Sequence, residues 1–286
     1  MTDTRRSTAE ELKDAYRELR LSGNDWPRLW WSKSESYELR ARADRINGFT
    51  EHVRANAEAT INDPTIFASE PAWHPRQQAA VYNLAIAAWY LREPRLVSLT
   101  TRLLDRAASA ESWVVSAHTS MLHDHCASNV GATIAASLDL LAGTLTDDQV
   151  TRYTTAIREK CLDTFLAACR ERSAFWSRQG NVSDWRIITC SDAGTAALGV
   201  CTEEDVDVAE ILAYASEGVV DVLKSDDTST QGARRVGTRY LAALDRYLPN
   251  ETTRLHVAHF VNTPDFTIEF AKPESSVYDV DGNVIE

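Results

Sequence analysis

Nowhere in the 286 residues is there an apolar run of about eighteen, the length a helix needs to cross a bilayer, so no membrane partner is expected. Basic residues are outnumbered. The chain has 30 Lys and Arg against 42 Asp and Glu, a formal net charge of −12. Nucleic acid needs a basic footprint, so no nucleic-acid partner is expected. An anionic oligosaccharide or small molecule is not excluded, because a local group of Arg and His overrides the global sign. Cysteine is sparse: Cys126, Cys161, Cys169, Cys190 and Cys201. Five is odd, and the spacings fit no zinc motif, so these read as buried, reduced thiols. Neither a metal nor a cofactor is expected. Glycine and proline number only 11 and 8, and no stretch rich in them divides the chain. Residues 1–22 lack the apolar centre of a secretory signal, so a cytoplasmic location is the expectation.

What is present is helical punctuation. Ser7–Glu10 and Thr146–Gln149 have capping-box spacing, and each opens an amphipathic run. Pro75 and Pro94 stand where helices begin, a position that tolerates a missing N–H. Val130, Ile134, Leu138 and Leu141 fall on one stripe, as do Val208, Ile211, Ala215, Val219 and Val222. The periods predict helices at 7–22, 34–61, 75–92, 95–109, 127–142, 147–172, 185–199, 205–224 and 231–248. Short loops between them imply antiparallel hairpins, too many for a four-helix bundle. A layered ring or solenoid of hairpins would bury all the stripes. The tail differs. Thr267–Ala271 alternates, and an Asp-Gly turn separates β-formers between Val277 and Val284, which predicts a terminal hairpin. The expected division is a helical domain over 1–262 and a short β-like tail over 263–286.

The order of features from Trp73 to Tyr247 is distinctive. Trp73-His-Pro75 leads into a helix carrying Asn83–Trp89, then Glu93-Pro94-Arg95. His118 and His123-Asp124-His125 follow, then Ala135–Leu141 and the capped Thr146–Cys169 helix. Phe175-Trp176, Asn181–Trp185, a small-residue helix and Gln231-Gly232 leading to Tyr240 complete it. This order resembles the helical domain of the heparinase II/III and alginate lyase superfamily. The resemblance implies an all-α fold, an incomplete (α/α) toroid of antiparallel hairpins. It also implies a polysaccharide lyase. Such an enzyme removes the proton α to a uronate carboxylate and expels the 4-linked sugar. A polar group, often Asn, neutralises the carboxylate, and Tyr or His groups move the protons.

Carried onto this chain, the resemblance makes Asn181 the carboxylate neutraliser and Tyr240 a base or acid. One of His118, His123 and His125 is its partner. Each has a plainer reading: a turn residue for Asn181, a core tyrosine for Tyr240, and helix capping or a metal site for the histidines. Asp184 directly precedes Trp185, where the family has Asn, and a carboxylate there repels an anionic substrate. Gln231 stands where relatives have Glu, and Arg235 and Thr238 where Tyr is common. Arg235 or Arg239 would orient the anion. Trp26, Trp30, Trp31, Trp73, Trp113, Trp176 and Trp185 are candidates for sugar platforms or for core. Asp226-Asp227 lacks the fuller pattern of a terpene-cyclase acid pair. Two other functions stay open. One is an intracellular biosynthetic enzyme that eliminates or cyclises a small molecule. The other is a non-catalytic module that binds a glycan or a partner.

Overall fold

The computed structural model describes residues 8–17, 19, 21, 26–68, 75–118, 120–225 and 231–247, together with 277–278 and 284–285. The fold is all-α. In chain order the helices are α1 (Thr8–Tyr16), α2 (Lys33–Ala43), α3 (Phe49–Asn62), α4 (Pro64–Ala68), α5 (Pro75–Leu91) and α6 (Pro94–Ser109). Then come α7 (His125–Leu140), α8 (Asp147–Ile157), α9 (Asp163–Glu171), α10 (Asp184–Val200), α11 (Val208–Leu223) and α12 (Gln231–Asp245). A π turn over Arg158–Leu162 joins α8 to α9 in one rod, as the unbroken period over 147–172 predicts. The helix predicted over 34–61 is interrupted. The first part stops at Ala43, and Gly48, in a left-handed conformation at φ 76°, stands at the N-cap position of the next helix. Thr146 and Gln149 form a capping box, and Ser32 with Glu35 forms another. Pro75 and Pro94 each open a helix. Among the described residues no helix is long and apolar enough to cross a membrane. Strands β1 (Val277–Tyr278) and β2 (Val284–Ile285) pair antiparallel, Val277 opposite Ile285. Trp73, the Asp226-Asp227 pair and the alternating segment Thr267–Ala271 lie outside the described residues.

The helices form two rows. One row runs α5, α7, α10 and α12, each packed on the next. The second holds α6, α8 and α9, and α11, with α1 packed on α11. Rows meet as hairpins: α5 on α6, α7 on α8, and α10 on α11. The core centres on α7 and α10. Of the sixteen residues of α7, His125 and Asn129 alone are not buried. Small residues make this possible by bringing helix axes close. A methyl group on Gly199 would come within 2.7 Å of Ala135 Cβ. At Gly194 the added carbon would lie 2.3 Å from the Tyr240 ring. That ring cannot retreat, because its hydroxyl meets Ser216 Oγ at 3.0 Å and donates to Leu212 O at 3.3 Å. Gly194→Ala is therefore expected to destabilise the chain by about 1–3 kcal/mol, read as a lower urea midpoint at unchanged slope.

The segment between α1 and α2 ties the helix ends together. Trp26 Nε1 and Arg28 Nε both donate to Gly199 O, at 3.0 and 2.9 Å. The backbone N–H groups of Arg28 and Leu29 donate to Asp139 at the end of α7. Arg246, just past α12, reaches Trp30 O at 2.8 Å. Burial pushes the Asp139 carboxyl up to about 6, while these backbone donors pull it down.

Candidate active-site cleft

Solvent reaches the two central helices along one stripe. On α7 it touches His125 and Asn129, one turn apart; on α10 it touches Trp185 and Ile188, with Asp192 one turn deeper and nearly covered. Neighbouring α5 contributes half-buried Tyr82 and exposed Ile86, and α12 contributes exposed Arg235 and Arg239. The four helices of one row thus share a polar strip.

The mouth of the strip is built at the starts of α7 and α10. Asp124 is the N-cap of α7 and is fully buried. Its Oδ1 accepts from Ala127 N at 2.9 Å, and its Oδ2 from Val115 N at 3.2 Å. The same Oδ2 lies 2.8 Å from His118 Nδ1. A carboxylate can only accept, so His118 carries its proton on Nδ1 and presents Nε2. The His118 and His125 ring centres are 6.2 Å apart, and both rings lie edge-on to Trp185, at 5.0 and 4.2 Å. Phe175 packs on the same indole at 5.3 Å. His125 Nδ1 is buried without a partner, and its Nε2 lies 3.5 Å from Cys126 Sγ. Burial holds the His125 imidazole below its ordinary value, against the pull of Asp124. It is therefore neutral near pH 7.

One donor atom each from His118, Asp124 and His125 lies within 4.8 Å of the others, a spacing from which a divalent cation could be held. Asp124 already accepts three bonds. Its chemistry is therefore that of the carboxylate that orients a histidine, which leaves two imidazoles as direct ligands.

Deeper in the strip, Asn129 Nδ2 donates to Asp192 Oδ2 at 3.1 Å. Burial raises the Asp192 carboxyl to about 6, with Asn129 and Arg239 pulling the other way. Burial and the Asp192 charge push the Tyr82 phenol up to about 12, although it is hydrogen-bonded to Thr133. A phenol so placed stays protonated and acts as a donor.

Two of the sequence candidates are moved into the core. Tyr240 is 1% exposed and wedged against Gly194, and burial lifts its phenol well above the ordinary value. His123 is fully buried, with Nδ1 on Thr164 Oγ1 at 2.8 Å and Nε2 on Ser128 Oγ at 2.7 Å. Desolvation drops its imidazole to about 3, so it is a neutral structural residue. Trp113 and Trp176 are likewise core, at 3% and 0% exposure. Asn181 sits half-exposed in the turn before α10, its Oδ1 accepting from Ser183 Oγ at 2.6 Å. That bond leaves the amide NH₂ as the group a ligand would meet. Asp184 is exposed at the first position of α10, where the helix dipole favours a carboxylate. Gln231 opens α12. All five cysteines are free and buried.

Sequence reasoning passed over Tyr82, Asn129 and Asp192. The available signal was the spacing of polar residues in otherwise small or apolar helices: Asn129 is four after His125, and Asp192 seven after Trp185. No protein-family model matches the chain, and no curated protein matches it.

Proposed function

We propose that the chain is a carbon–oxygen lyase that performs β-elimination on a uronate-containing oligosaccharide, in a cleft on the inner row of an incomplete (α/α) toroid. The observation that carries this reading is the pair of half-exposed imidazoles, 6.2 Å apart, one of them pinned through Nδ1 to a buried carboxylate. β-Elimination needs two proton-transfer groups within reach of one sugar ring, and a hydrogen-bond donor for its carboxylate. His125, kept neutral by burial, takes the α-proton on Nε2. The C–H electrons become the new C=C bond, the C–O bond to the leaving sugar breaks, and that oxygen takes a proton through Nε2 of His118, whose Nδ1–H stays on Asp124. Asn181 donates its amide N–H to the carboxylate, and Trp185 offers an apolar ring to the sugar face. Tyr82, Asn129 and Asp192 line the path for flanking hydroxyls. Arg235 and Arg239 grip neighbouring uronates, where a guanidinium pairs with a carboxylate through two bonds.

The test is an elimination assay. The protein is incubated with a panel of uronate-containing oligosaccharides, and the ultraviolet absorbance of the conjugated enoate is followed. A rising signal is expected for at least one member. A flat trace across the panel, from protein with a cooperative unfolding transition, would overturn the reading.

A further inference from the structure

A cavity lies at the other end of α7, away from the imidazole pair. His125 opens α7 and Leu140 closes it, so the two places are separated by roughly 22 Å of helix. The cavity has a volume of about 700 Å³. Trp26, Lys33, Tyr37, Arg40, Trp89 and Arg92 stand in its wall. We propose that it binds a nucleotide-sized anion, with a phosphate held by Arg40, Arg92 and Lys33 and a flat ring laid against the aromatic side chains.

Three observations converge. The first is charge. In a chain of net charge −12, this wall presents three cations, and among the described residues none of them lies in an ion pair with a carboxylate. The one acid in the wall, Asp139, spends its oxygens on the backbone N–H groups of Arg28 and Leu29. The Arg40 guanidinium has only weak bonds to Ser36, at 3.4 and 3.5 Å. Burial, then the neighbouring Arg92 charge, hold it below its ordinary value. Two guanidiniums that repel each other without a counter-ion are relieved by an anion between them.

The second is aromatic surface. Arg40 lies over Trp89 at 5.4 Å and over Tyr37 at 5.0 Å. Tyr37 is 54% exposed, so much of its ring is left for a ligand to cover. Stacked aromatic and guanidinium planes are the usual platform for a base. The third is backbone strain. Arg92 takes φ 57° in the tight connection between α5 and α6, a left-handed conformation that costs a non-glycine residue stability. The volume suits a ligand of nucleotide size, since pockets for small molecules span about 300–1,000 Å³.

The experiment is titration of AMP, ribose 5-phosphate, inorganic phosphate and glucuronate into the full chain, followed by calorimetry and tryptophan fluorescence. Saturable AMP binding is expected, roughly tenfold tighter than that of ribose 5-phosphate or phosphate and weaker as salt rises. Arg92→Gly and Arg40→Gln are each expected to weaken it about tenfold or more. Arg92→Gly removes the cation and the strain together, so its urea midpoint stays near wild type and lost binding cannot be lost folding. Equal affinity for AMP and inorganic phosphate would overturn the proposal, leaving a plain cation cluster. So would the lack of saturable binding by any probe, or glucuronate binding more tightly than AMP.

Discussion

Replacing His118 by alanine is expected to lower kcat/KM for elimination by about 10²–10⁴-fold while leaving the fold intact. The fold survives because Asp124 keeps its bonds to Val115 N and Ala127 N, and so still caps α7. His125→Gln is expected to fall in the same range. Asp124→Asn separates orientation from proton transfer. An asparagine still caps the helix, but its NH₂ can meet only a bare His118 Nδ1. The proton then moves to Nε2, and no carboxylate faces the ring to balance the charge of its proton-donating form. A fall in kcat with KM unchanged is the expected signature. Tyr240→Phe is the contrast. It removes a buried hydroxyl bonded to Ser216 and Leu212, so it is expected to cost about 1 kcal/mol of stability and leave turnover alone. A collapse of turnover in Tyr240→Phe, with His118→Ala active, would sink the assignment of the imidazole pair.

The second large effect is on stability. Arg186, with a side chain 2% exposed, lies under the turn that leads into α10. It contacts Asp221 Oδ2 at 2.7 Å and Glu217 Oε2 at 3.6 Å. It also donates to the carbonyls of Trp176 and Arg178, both at 2.8 Å. Glu217 is 1% exposed; its other cation is Arg172 at 3.1 Å, and its Oε1 accepts from Ala9 N at 3.4 Å. Arg186→Leu would leave a buried carboxylate with half its counter-charge and the Trp176 carbonyl without a donor, while the Arg178 carbonyl keeps only Asn181 N at 3.2 Å. The expected loss is about 3–5 kcal/mol, read from urea unfolding. Arg170→Leu is the control. Arg170 pairs with Asp207 and Glu210 on the surface at 48% exposure, where such pairs contribute about 1 kcal/mol or less. The same network bears on the site, because Arg178 and Trp176 begin the turn that presents Asn181. A milder variant, Arg186→Lys, is therefore expected to lose elimination activity ahead of its unfolding transition.

Where sequence reasoning worked, it worked on local physics. The capping box at Thr146, the prolines that open α5 and α6, and the apolar stripe of α7 act over one or two turns, and each helix stands where they imply. It went astray between Ala43 and Phe49, where α2 stops and a left-handed Gly48 begins a new helix. The histidine group was visible as a group. Which of its rings meets solvent was not, because His123 and His125 stand on either side of the N-cap Asp124, and the chain alone does not say which side is core. Tyr240 shows the same limit. A phenol on an amphipathic helix reads alike as core or cleft until its neighbours are known, and here Gly194 receives it into the core.

The sequence by itself determined that the fold is all-α with a short β-like tail, how its helices are punctuated, and that its cysteines stand alone in the core. These follow from periodicity, caps and spacing, which are local. Only the tertiary structure decided that Asp124 grips His118, that Tyr82, Asn129 and Asp192 from three helices share one strip, and that Arg40 and Arg92 face one cavity. Those residues are 6 to 110 positions apart. They are brought together by which faces of α5, α7 and α10 are buried against one another, and no short window of sequence contains that information.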